Sequence, residues 1–149
     1  MTSGDPTRRG DVRVRVTGKF FEVAGSRFLV KGVAYGTFTP DARGVQFPDS
    51  GRVASDFALM AASGINTVRT YTVPPESLMD TAARYGLRVM IGMPWSQHVA
   101  FLTDRAEMQR IRRETRETVS RLSAHPAALL FAVGNEIPPS VVRWHGEAR

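Results

Sequence analysis

The sequence predicts an α/β fold, namely the N-terminal half of a (β/α)8 barrel, strands one to four, preceded by a β-hairpin. Three observations predict it. β-rich apolar runs alternate with segments of helical period, as they do when parallel strands are covered by helices. Residues 87–93 and 128–134 are apolar almost without a break, as in strands buried on both faces. Polar and aromatic residues gather where the strand runs end: Tyr35, Arg69 with Tyr71, Trp95, and Asn135 with Glu136. Barrels build their sites from the C-terminal ends of several strands. A doubly wound open sheet is the competing architecture, but it carries a glycine-rich turn after its first strand. Here "GVAYGTFTP" has the wrong glycine spacing and leads into a long loop.

Each element has a local cause. Residues 1–10 are rich in Gly, Ser, Thr and Pro and read as a disordered tail. Residues 11–28 are the hairpin region. Val12, Val14 and Val16 alternate with Arg13 and Arg15, the period of a half-buried strand. Residues 19–23 and 27–30 flank a turn at Ala24-Gly25-Ser26. Residues 29–149 carry the half barrel, which is expected to be a truncated piece of a longer one. Its first strand run is 29–35. Val53, Phe57, Met60 and Ala61 share a helical face, closed by Gly64. "NTVRTYT" follows as the second strand. Pro75 belongs in the first turn of the next helix, where Leu78, Ala82 and Tyr85 space helically before Gly86. "LRVMIGMPW" is the third strand. Asp104 with Glu107 starts a long helix. Its buried stripe is Met108, Ile111, Thr115, Val119 and Leu122, and His125-Pro126 stops it. "AALLFAVGNE" is the fourth strand.

Composition bounds the chemistry. With 149 residues, 42% hydrophobic and 23% charged, the chain can bury one core. It has no cysteine, so disulfides and thiolate-held metals are excluded. His98, His125 and His145 show no ligand spacing, so neither a metal nor another cofactor is expected. The net charge of +6 raises the question of nucleic acid. Much of the arginine, however, falls between Arg105 and Arg121 among Glu107, Glu114 and Glu117. Arg113–Glu117 and Glu117–Arg121 have i,i+4 spacing, which makes a solvated helix face the expectation. No aromatics interleave there, as single-strand binding would want. The N-terminus lacks the apolar core of a signal peptide, and no run is long enough to span a membrane. A cytoplasmic location is the expectation.

The strand ends carry the candidate site. A carboxyl at the tip of an apolar strand loses hydration, which disfavours its charged form and suits Glu136 to general acid work. The alternative role for Glu136 is a helix cap or ion pair. Asn135 can donate and accept through one amide and could hold a hydroxyl. Arg69, between Val68 and Thr70, points to one face of its strand and needs an anionic partner there. Trp95, Trp144, Tyr35 and Tyr71 offer flat apolar faces to a sugar ring, or else belong to the core. His98 and His145 lie in the same tip segments and could bond hydroxyls. His125 lies at the opposite end of its strand and reads as structural.

Arg69 followed by "GNE" at the fourth strand end resembles the clan of retaining β-glycosidases with (β/α)8 barrels, glycoside hydrolase clan A. The blocks "VKGVAYGTFTP", "GINTVRTYTVPP", "MPWSQHVAFL" and "GNEIPPSVVRWHG" look more narrowly like bacterial glycosidase-type domains fused to a family 2 glycosyltransferase. The resemblance spans roughly residues 12–149. It implies that Glu136 is the catalytic acid/base, that Asn135 contacts the sugar 2-hydroxyl and that Arg69 braces the nucleophile. It further implies a β-glucan or oligosaccharide substrate, hydrolysis or transglycosylation, and a possible C-terminal glycosyltransferase on the cytoplasmic side of the inner membrane. The chain departs from the clan in one respect. The nucleophilic glutamate belongs on the seventh strand, and nothing in these residues matches it. A carbohydrate-binding half barrel without catalysis is therefore the alternative expectation.

Overall fold

The computed structural model describes residues 13–94, 104–135, 137–140 and 143. The chain opens with an antiparallel meander of β1 (Val14–Thr17), β2 (Phe20–Val23) and β3 (Ser26–Phe28). Val14 faces Val23, and Phe21 faces Phe28. The β2–β3 turn has positive φ at Ala24 (50°) and Gly25 (78°). Two left-handed residues give the turn the twist that tight hairpins need, and Gly25 adopts it without a Cβ penalty. The expected hairpin is present, and β1 extends it to three strands. Its outer strand is less buried than alternation implies, with Val16 72% exposed, because nothing among the described residues covers that face.

Four parallel strands follow in the order β4-β5-β6-β7: Gly32–Ala34, Thr67–Arg69, Arg88–Met93 and Ala128–Val133. The helices between them are α1 (Ser50–Ala62), α2 (Glu76–Arg84) and α3 (Arg105–Leu122). This is the repeating β/α arrangement the sequence predicts. Asp49 caps α1 by accepting from the amides of Gly51 and Arg52. Asp104 caps α3 through the amides of Ala106 and Glu107. Pro75 stands at the N-cap of α2, one residue ahead of the first turn, with φ −66° already suited to a helix entrance.

Register decides which side chains meet. Val33, Val68 and Val89 are paired across the sheet, and so are Ala34, Arg69, Met90 and Leu130. Paired residues of neighbouring parallel strands share a face, and the faces alternate along each strand. The valine face packs under the helices with Phe57, Leu78, Met79, Ala82 and Ile91. Full burial of a side chain such as Phe57 or Met79 contributes about 1.5–3 kcal/mol. The arginine face is the inward one, where a barrel's interior would lie.

Three expectations change. The first strand is only three residues long, and Leu29 and Val30 ahead of it are 62% and 43% exposed. Of the α3 stripe only Leu122 is buried, while Met108, Ile111, Thr115 and Val119 are half-buried. The α3 ion pairs also differ from those that spacing predicts. Arg110 binds Glu107 and Glu114, and Arg121 reaches Glu76 on α2 at 3.6 Å. An arginine at the end of a helix can leave its own surface when a carboxylate on the next helix lies within reach.

Candidate functional site

Arg69 ends β5 on the inward face. Its Nη2 donates to Asn135 Oδ1 at 2.5 Å, reaching past β6 to the segment just after β7. Guanidinium nitrogens only donate, so the amide oxygen of Asn135 must face Arg69 and its Nδ2 points elsewhere. The guanidinium carbon lies 4.9 Å from the centre of the Tyr71 ring, a cation–π contact. Arg69 Nε is buried and has no hydrogen-bond partner among the described residues. A buried donor left unmet costs about 1–3 kcal/mol, more when it is charged. Such a group is poised for an acceptor.

Two further residues hold β5, Gly92 at its C-terminal end and Asn66 at its N-terminal end, and neither stood out in the sequence. A Cβ at Gly92 would lie 2.3 Å from the Thr70 carbonyl oxygen and 2.6 Å from the Tyr71 carbonyl carbon. Only glycine lets the chain leaving β5 cross so closely over β6. A lone glycine inside "VMIGM" is the signal that could have revealed it. Asn66, just before β5, accepts from the Lys31 amide and donates to the Leu29 carbonyl, both at 2.8 Å. That clamp sets β4 against β5 before the ladder begins.

Tyr35 goes the other way. It alternates with Ala34 and so faces the helix side, 5% exposed, edge-on to Phe38 and Phe57. Its hydroxyl donates to Asp56 of α1 at 2.8 Å. Burial first, and Asp56 second, push the phenol well above its ordinary value. The structure thus brings Arg69, Tyr71 and Asn135 together and commits the Tyr35 hydroxyl to α1. Tyr35 and Tyr71 still border a common cavity of about 90 Å³ with Phe38, Gln46 and Phe47. A wider groove of about 570 Å³ continues past Phe47 and Thr72 along Val73, Pro74 and Pro94.

Glu136, Trp95, His98, Trp144 and His145 lie outside the described residues. His125 takes a structural position: Nδ1 accepts from the Ala127 amide at 3.1 Å, and Nε2 lies 3.2 Å from Asp80. Among the described residues no group of His, Cys, Asp and Glu could hold a metal, and no helix is long and apolar enough to cross a membrane.

The family model for the TIM barrel domain of glycosyl hydrolases family 2 matches residues 14–145, and the chain belongs to that family. A search of curated proteins finds no match. Among solved structures, the chain is similar to a β-glucuronidase from Bifidobacterium dentium complexed with coumarin-3-O-glucuronide (TM-score 0.65, 21% identity, 89% of this chain and 23% of that one). It is also similar to a β-glucuronidase from Ruminococcus gnavus in complex with a C6-substituted uronic isofagomine (TM-score 0.67, 19% identity, 89% and 24%). A β-glycosidase from Bacteroides vulgatus shares the fold as well (TM-score 0.65, 16% identity, 89% and 18%). The chain spans less than a quarter of the length of each of these structures.

Proposed function

We propose that these strands form the acid/base side of a retaining β-glycosidase. The observation that carries this reading is the Arg69–Asn135 pair, which joins the second and fourth strand tips immediately beside Glu136 in sequence. Family membership supports it from a separate direction.

Each residue has a role that its chemistry permits. Asn135, its oxygen turned to Arg69, is proposed to contact a sugar hydroxyl. Glu136 protonates the departing glycosidic oxygen and then takes a proton from the incoming water or hydroxyl. Retention needs a second carboxylate about 5–5.5 Å from the first. The unmet Nε of Arg69 suits it to brace that nucleophile, whose anion would relieve the buried donor. No residue at the four strand tips of this chain matches the nucleophile, so the complete reaction draws on strands beyond these four. Trp95, His98, Trp144 and His145 are proposed to contact the sugar, and Tyr71 to border it.

For the substrate, we propose a β-linked glycoside. The similar structures are β-glucuronidases and a β-glycosidase, so aryl β-glucuronides belong first in an assay panel. β-Glucan as substrate, transglycosylation as outcome and fusion to a glycosyltransferase rest on the sequence resemblance alone. In the full-length protein, Glu136→Gln is expected to lower turnover of a glycoside with a poor leaving group by about 10²–10⁴-fold. An unchanged circular dichroism spectrum would establish that the variant folds. Unchanged turnover would remove Glu136 from the acid/base role.

A further inference from the structure

We propose that Tyr71 is a positioning residue whose ring, seated by the passage of its own backbone over Gly92, sets the Arg69 guanidinium and through it the Asn135 amide. The functional consequence rests on the glycosidase reading above, but the contact does not.

Arg69 has one described hydrogen bond, from Nη2 to Asn135, and its Nε has no partner. A single bond at one end of a long side chain leaves the plane of the guanidinium free to turn. The Tyr71 ring, 4.9 Å from Cζ, supplies a second constraint, because a π face attracts the cation. Tyr71 is 36% exposed, so demand for core volume does not explain its placement. Its hydroxyl makes no hydrogen bond among the described residues, so the ring rather than the polar tip is the working part. The ring's height is set by main chain. The Tyr71 carbonyl carbon and oxygen lie 2.6 and 2.7 Å from where a Cβ of Gly92 would be. Two strands therefore determine where the ring lies, and Arg69 inherits that position. Tyr71 also borders the 90 Å³ cavity that Tyr35, Phe38 and Phe47 line.

The test reads Arg69 directly, by nuclear magnetic resonance of arginine Nε–H groups in the 149-residue chain. Arg69→Lys identifies the signal by its loss. In the wild type the Arg69 signal is expected to be displaced by the ring current of Tyr71 and to exchange slowly with water. Tyr71→Phe keeps both properties. Tyr71→Leu, which retains bulk without a π face, removes the displacement and moves the Asn135 side-chain amide signals, while methyl signals of Val89 and Ile91 stay in place. A wild-type Arg69 signal indistinguishable from those of exposed arginines overturns the proposal. So does a Tyr71→Leu spectrum in which the Arg69 and Asn135 signals do not move. These shifts depend on no substrate, so a failed glycosidase assay leaves this result standing and separates the two claims.

Discussion

β6 with α2 and β7 with α3 are successive copies of one unit, yet they are held by different forces. In β6 four of six residues are buried, and the nine residues of α2 bury Leu78, Met79, Thr81 and Ala82. In β7 only Leu129 is buried, Val133 is 70% exposed, and the eighteen residues of α3 bury Leu122 alone. β6 lies between two strands, whereas β7 has no described strand on its outer side. The longer helix is the more weakly docked one. It is held at its C-terminal end by Leu122, by the Arg121–Glu76 pair and by the nearby contact of His125 with Asp80. Elsewhere its apolar stripe is only half-buried, supplemented by its own cap and by Arg110, clamped between Glu107 and Glu114. Length and amphipathic period make a helix, but a place in the middle of a sheet buries it.

Five substitutions test that contrast, in falling order of effect. Gly92→Ala drives a methyl into the Thr70 carbonyl and is expected to cost more than about 3 kcal/mol in urea unfolding. A smaller cost would mean that the two strands can part without penalty. Met79→Ala opens a cavity at a fully buried site and is expected to cost about 3 kcal/mol. Ile111→Ala, the matching change on α3, is expected to cost about 1.5 kcal/mol, because the side chain is only partly buried. Equal losses at Met79 and Ile111 would break the comparison. Asp104→Ala removes two capping bonds and is expected to cost about 1 kcal/mol, read as lost helical circular dichroism. Arg110→Ala is expected to change the thermal midpoint least, by an amount that fades as salt is added. An effect that persists in high salt would point to packing by the arginine stem instead.

Two members of the candidate site were legible because strand ends advertise themselves. Arg69 between two β-branched residues, and Asn135 after an apolar run, stand out without coordinates, and the structure brings them within hydrogen-bonding distance. Tyr35 stood out in the same way, but an apolar run carries no parity. Only the pairing of Ala34 with Arg69 puts Ala34 inward and sends Tyr35 to α1. The partners of Arg121 were misread for a related reason, since spacing ranks neighbours on the same helix and is silent about the next one.

The sequence by itself determined the order and kind of the elements, the cap at Asp104, and the place of Arg69 and Asn135 at strand ends. These depend on local backbone energetics and on the period of apolar side chains, both of which are properties of short windows. Tertiary structure decided the face Tyr35 takes, the crossing at Gly92, the unmet Nε of Arg69 and the unequal burial of α2 and α3. Each of these depends on register or on a neighbour far away in the chain, where a shift of one residue exchanges the inward face for the outward one.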